Sequence, residues 1–153
     1  MTQDPSFDAN KAHRYFSADC FNKAWELIEK TNRTPAEDEQ MIRLNQASLW
    51  HWTERDDCKG ANMSIGYWQA SRIHAILGRA EEARRYGLLC LENSPQESPF
   101  LQAYAYEALA RAENAAGNGR KAEQYRVEAL RLAESVKDSE DRDQILNDLK
   151  TIK

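Results

Sequence analysis

The sequence predicts an all-α fold, an α–α superhelix of about eight antiparallel helices. Gly and Pro are scarce, at 6 and 4 of 153 residues, while helix-forming residues such as Ala, Leu, Glu and Arg are abundant. Two stretches, 67–91 and 106–130, share six identical residues at a constant offset of 39, which indicates a repeated supersecondary unit. Each unit holds two helical patterns around a glycine, an arrangement typical of helical solenoids that bind partners along their surface. The identical pairs are Tyr67/Tyr106, Arg72/Arg111, Gly78/Gly117, Ala83/Ala122, Tyr86/Tyr125 and Leu91/Leu130.

Cap and turn residues set the predicted helix boundaries. Thr34 and Glu37 form a capping box around a proline at the first helical position, and Ser98-Pro99 repeats the cap-then-proline signal. Gly60, Gly78 and Gly117 fall where the helical periodicity breaks. The predicted helices are 8–18, 20–31, 35–55, 61–77, 79–93, 99–116, 118–136 and 139–151.

Two of these helices have distinct apolar patterns. The helix at 35–55 carries apolar residues around its whole circumference, which predicts an irregular helix buried on every side, inside the protein or against a partner subunit. The last helix has Ile145, Leu149 and Ile152 on one stripe and charges opposite, as expected of a terminal capping helix.

The repeated units resemble tetratricopeptide repeats, at about 64–97 and 103–136. A weaker match covers about 5–38, with Asp19 at the glycine position of the turn. The resemblance implies one tetratricopeptide-like domain over 1–153. The first unit matches the family pattern at Tyr67, Ala70, Ser71, Gly78, Ala83, Cys90 and Pro95; the second at Tyr106, Leu109, Ala110, Gly117, Ala122 and Ala129; the weak one at Ala12, Tyr15, Ala24 and Pro35.

The resemblance also implies a concave groove lined by first helices, and hence a non-catalytic module that binds a protein or peptide. The groove positions that we expect to bind are Trp68, Arg72, Tyr104, Glu107 and Arg111. Arg72 and Arg111 would suit a carboxylate or phosphate joined to an apolar group. The alternative is that both arginines stack on neighbouring aromatic rings or pair with Glu107.

A second candidate site is the run Trp50, His51 and Trp52. These side chains either fill the core or form an aromatic pocket. A pocket there would make the chain a small-molecule sensor or a minor enzyme, which is the alternative function. Homodimerisation through an uncovered apolar stripe is a further alternative.

Other function classes lack a signal. No catalytic residue, cofactor site or metal site is predicted: no nucleophile motif or glycine-rich phosphate loop occurs, and His13, His51 and His74 fall on separate predicted helices. The net charge of −4 argues against nucleic-acid binding, and no apolar run is long enough to span a membrane. Three widely spaced cysteines and an N-terminus without a signal-peptide pattern favour a cytoplasmic location.

Overall fold

The computed structural model of the chain describes residues 6–153, and within that range it contains seven helices and no strand. The all-α class is therefore confirmed, and the described residues contain seven helices where about eight were predicted. Residues 1–5, where the predicted domain and the weak repeat begin, lie outside the described residues. The helices are α1 (Ala9–Glu29), α2 (Pro35–Thr53), α3 (Gly60–Ile76), α4 (Ala80–Asn93), α5 (Pro99–Ala115), α6 (Gly119–Ala133) and α7 (Ser139–Lys150).

The two helices predicted at 8–18 and 20–31 are one continuous helix, α1. The Asp19 side chain does not begin a new helix. Its carboxylate accepts a hydrogen bond from the Tyr15 hydroxyl at 3.4 Å and pairs with Lys23 at 2.9 Å, each one turn away along the same helix. Such i,i+4 pairs stabilise a helix. The turn that the weak repeat at 5–38 requires at Asp19 is therefore absent.

Helix α2 begins with the predicted capping box, in which Thr34 and Glu37 each accept a hydrogen bond from the other's backbone N–H. The expectation that this helix is buried on every side is wrong. Its buried residues are Met41, Asn45, Ser48 and Leu49, whose spacing places them on one face, and Trp50 is 55% exposed. That face packs on α1, where the Ser48 hydroxyl donates to the Ser17 carbonyl at 2.7 Å.

The chain divides into two compact units, of which the first ends at Lys59 and the second runs from Gly60 to Lys153. The first contains the α1–α2 hairpin and the second contains α3 to α7. The single domain expected over 1–153 stays a prediction. None of the helices within residues 6–153 combines the length and apolar character that crossing a bilayer requires.

The second unit contains the same helical hairpin twice. Helices α3 and α5 begin and end 39 residues apart, and α4 and α6 begin 39 residues apart. The two turns have matching hydrogen bonds: the N–H groups of Gly78 and Gly117 donate to the carbonyls of Ala75 and Asn114. The next residue donates five positions back in each turn, Arg79 to His74 and Asn118 to Glu113. The two hairpins therefore end their first helices with the same glycine-based C-cap.

Packing between the hairpin helices also repeats. The Tyr67 and Tyr86 rings lie 6.1 Å apart, and their counterparts Tyr106 and Tyr125 lie 6.0 Å apart. Helix α5 is central, because it packs against α3, α4, α6 and α7. Many of its buried residues are alanines, which lets neighbouring helices approach closely. Helix α7 covers one end of this core with the fully buried side chains of Ile145 and Leu149, as the stripe in the sequence predicts.

The two turn glycines give a first prediction. Gly78 and Gly117 have φ values of 71° and 74°, a left-handed conformation in which a Cβ costs about 1–2 kcal/mol. We expect Gly78→Ala and Gly117→Ala each to lower the free energy of unfolding by about that amount, measured by urea denaturation. Gly119→Ala is the matched control, since Gly119 has ordinary φ and open space around its Cβ position. A Gly78→Ala protein at least as stable as the control would contradict the assigned turn.

Candidate functional site

One face of α3 carries Trp68 and Arg72, two of the residues expected to bind in the groove. Ile65, Trp68, Arg72 and Ile76 are spaced by three or four positions and so lie on one side of the helix. Ile65 and Ile76 are each 40% exposed, while the two residues between them are partly buried. The two isoleucines are about 16 Å apart along the helix axis. The face thus offers exposed apolar groups at both ends of a buried polar centre.

The polar centre is the carboxylate of Glu107 on α5. Glu107 is fully buried, and it accepts hydrogen bonds from Trp68 Nε1 at 2.9 Å and from Arg72 Nη1 at 3.3 Å. Arg111, one turn further along α5, also pairs with this carboxylate. A buried charge of this kind is stable only when it is paired and hydrogen-bonded. Trp68, Arg72, Glu107 and Arg111 therefore form one connected group, the Glu107 cluster.

The Glu107 cluster extends to α7. Arg111 Nη2 donates to the carbonyl of Asp148 at 2.8 Å and also to the Thr151 hydroxyl. The Tyr104 hydroxyl donates to the Asp148 carboxylate at 2.7 Å. Burial, followed by the hydrogen bond and charge of Asp148, raises the pKa of Tyr104. Tyr104 therefore remains a neutral donor that fixes α7 against α5.

The two arginines are placed as in the alternative interpretation of the sequence, in which they pair with Glu107. Both guanidinium groups contact Glu107 from within the protein. Desolvation lowers the pKa of Arg72 although the charge of Glu107 opposes that effect. A ligand carboxylate at this point would have to compete with Glu107 for the same donors. Direct binding of an anion by Arg72 and Arg111 stays a prediction.

A hollow of about 180 Å³ lies beside Trp68. Its buried residues include Ser64 and Cys90, whose side chains are within 3.5 Å of one another. Burial raises the pKa of the Cys90 thiol to about 11, so the thiol is protonated at neutral pH. Most of the other lining groups are apolar, and the hollow therefore suits an uncharged apolar group. The lining residues are Ser64, Ile65, Trp68, Cys90, Phe100, Leu101, Tyr104 and Gln144.

A second hollow, of about 230 Å³, lies at the other end of the same α3 face. It includes Ile76 but also both arginines of the Glu107 cluster, so it is the more polar of the two. The lining residues are Arg72, Ala75, Ile76, Arg111, Asn114, Ala115, Thr151 and Ile152.

Several residues of the first hollow were not predicted from the sequence. Phe100 packs edge-on against Tyr104, with ring centroids 5.1 Å apart. The spacing of these two residues by one helical turn was a signal that could have found Phe100. Gln144 carried no such signal, because it lines the hollow from α7, 40 residues along the chain from Tyr104.

The second predicted site lies in the first unit, and its three residues do not form one group. Trp50 and His51 lie beside His13 of α1, with ring centroids 5.3 and 5.1 Å from the His13 ring. Trp52 instead lies under the guanidinium of Arg55, 3.8 Å from the ring centroid. The proximity of His13 and His51 was not predicted. Across residues 6–153 no group of three or more His, Cys, Asp or Glu side chains is arranged to hold a metal ion.

In comparisons with known proteins, no family model, no curated protein and no solved structure matches this chain.

Proposed function

We propose that this chain is a non-catalytic binding module of the tetratricopeptide type, which binds a protein or peptide along the α3–α5 face. The single observation that carries the proposal is the apolar hollow of about 180 Å³ beside Trp68, Ile65 and Tyr104. The repeated hairpins support the tetratricopeptide assignment, because their turns and tyrosine pairs match at an offset of 39. The bound segment places one large apolar side chain in the hollow.

The size of the hollow favours a side chain over a complete metabolite. A cavity of roughly 150 Å³ accepts a benzene molecule, whereas sites for drug-sized ligands occupy roughly 300–1,000 Å³. A hollow of about 180 Å³ therefore holds one aromatic ring or branched aliphatic group. The rest of the peptide lies on the exposed part of the α3 face.

The walls of the hollow are held in place before any ligand arrives. Trp68 donates its indole N–H to Glu107, and Tyr104 donates its hydroxyl to Asp148. Binding therefore orders few protein side chains, and each side chain that need not be immobilised saves about 0.5–1.5 kcal/mol. This rigidity supports a role as a peptide anchor. The neutral Cys90 thiol in the same hollow is a poor nucleophile, which supports the non-catalytic assignment.

Selection from a random-peptide phage library on the immobilised protein tests this function. We expect the enriched peptides to share one large apolar residue. Their dissociation constants, measured by fluorescence anisotropy, should rise about tenfold or more in Ile65→Glu, since a charge would then border the apolar hollow. The matched control is Val127→Glu, which places the same charge on an exposed apolar position of α6.

The control separates the site from general surface effects. Val127→Glu should leave the dissociation constants within about twofold of the unmodified protein. Equal losses in both variants, or enriched peptides without an apolar residue in common, would contradict a binding site at the α3–α5 face.

A further inference from the structure

Two histidines from different helices of the first unit meet at its surface. His13 of α1 and His51 of α2 bring their Nδ1 atoms to 2.8 Å. Both side chains are partly exposed, so solvent and small ions reach the pair. Two neutral imidazoles at this distance share one proton, with one nitrogen as donor and the other as acceptor. When the ring that holds this proton instead carries it on Nε2, both imidazoles remain neutral and both Nδ1 atoms present a lone pair.

The distance between the two nitrogens is close to that of neighbouring ligands on a metal ion. Imidazole nitrogens lie about 2.0–2.1 Å from a divalent metal, so two of them at a right angle are about 2.9 Å apart and at the tetrahedral angle about 3.3 Å apart. The 2.8 Å separation is nearest to the right-angle arrangement. Square-planar and tetragonal nitrogen sites of this kind are typical of Cu²⁺ and Ni²⁺.

Neighbouring aromatic rings orient the two imidazoles. Phe16 stacks on His51 with ring centroids 5.5 Å apart, and Trp50 contacts the His13 ring edge-on. A neutral imidazole is the form that binds a metal ion. The nearest cationic side chain in sequence, Arg14, is paired with Asp56 and Asp57.

We propose that His13 and His51 form a two-histidine site for a late first-row divalent cation, with Cu²⁺ preferred over Ni²⁺ and Zn²⁺. The preference follows the general order of stability for nitrogen ligands. The remaining coordination positions hold water or a small donor molecule. This site lies in the first unit and does not depend on the proposed peptide binding.

Isothermal titration calorimetry of the full chain with NiCl₂ at pH 7.5 tests the site. Ni²⁺ is used because it does not oxidise the free cysteines. We expect one Ni²⁺ per chain. His13→Gln and His51→Gln should each weaken binding about 100-fold, because loss of either imidazole removes the gain from linking two ligands on one scaffold. Cys58→Ser is the control for the partly exposed thiol and should leave the affinity unchanged. Circular dichroism confirms that each variant remains helical.

A second measurement needs no variant. In imidazole ¹H–¹⁵N spectra of the unmodified chain, paramagnetic Ni²⁺ should broaden the signals of His13 and His51 before those of His74, which is buried in the second unit. The site is disproved if either histidine substitution leaves the affinity unchanged, if Cys58→Ser abolishes binding, or if the His74 signals broaden first.

Discussion

Replacing Glu107 by Gln is expected to lower the free energy of unfolding by about 3–5 kcal/mol, the typical cost of removing one partner from a buried ion pair. Glu107 is fully buried and is the common acceptor for Trp68, Arg72 and Arg111. Glutamine preserves the size of the side chain but leaves two partly buried guanidinium groups without this carboxylate. Urea denaturation followed by circular dichroism measures the loss.

Two comparisons show whether the effect belongs to the Glu107 cluster. Glu123→Gln removes the exposed partner of a surface pair with Arg126 and should cost at most about 1 kcal/mol. Arg72→Met combined with Glu107→Gln should cost less than the sum of the single changes, because the two side chains share one interaction. A Glu107→Gln protein no less stable than Glu123→Gln would contradict a buried charged centre.

Replacing Leu109 by Ala is expected to cost about 2–5 kcal/mol, the range for deleting a buried leucine side chain. Leu109 lies fully buried on α5, at the point where α5 passes closest to Gly87 of α4. A Cβ added at Gly87 would lie 2.8 Å from Leu109 Cδ2. Gly87→Ala is therefore expected to cost about 1–3 kcal/mol through overpacking, less the gain in helix propensity. Thermal and urea denaturation measure both effects.

Combining Gly87→Ala with Leu109→Ala tests whether the two residues are in direct contact. The space left by Leu109→Ala accommodates the new methyl group, so the double variant should be more stable than the summed losses imply, by about 0.5–3 kcal/mol. Leu88→Ala is the control, since Leu88 adjoins Gly87 on α4 but is 49% exposed. Its cost should be about 0.5 kcal/mol or less. Strict additivity of the Gly87 and Leu109 changes would contradict the close approach of α4 and α5.

The repeated hairpins could be predicted because their signals are local. A glycine that ends a helix with positive φ is visible in sequence, as are the cap at Ser98 and the stripe of α7. The break proposed at Asp19 was wrong because aspartate suits both a helix cap and an i,i+4 pair with Lys23. Which role it takes depends on the packing of α1 against α2, and this is not a local property.

Which faces of α2 are buried against other helices could not be predicted, for a related reason. Helical periodicity identifies which residues are apolar, but it does not identify what packs against them. Trp50 is apolar and yet mostly exposed. The pairing of His13 with His51 was not predicted, because the sequence was read as a helical hairpin of 8–18 and 20–31. In the structure these two segments are one helix, α1, and it is α1 that packs against α2.

The Glu107 cluster was partly predictable. Trp68 and Glu107 occupy the same repeat position 39 residues apart, so stacking equivalent helices in register places them side by side. Arg72 and Arg111 are related in the same way. That both arginines pair with one buried carboxylate was one of two alternatives predicted from the sequence. The sequence left both open because composition alone does not determine how deeply a side chain is buried. The hollow beside Trp68 is lined in part by Gln144 from α7, so it could be identified only in the folded structure.

The most direct test of a peptide site at the α3–α5 face is an NMR titration of the indole N–H groups. The chain has four tryptophans, at positions 25, 50, 52 and 68, which give four indole signals. A peptide selected from the random library should shift the Trp68 signal, because this indole borders the hollow and donates to Glu107. We expect the signals of the other three tryptophans to stay in place. A bound peptide that leaves the Trp68 signal unmoved while any other indole signal shifts would contradict a peptide site at the α3–α5 face.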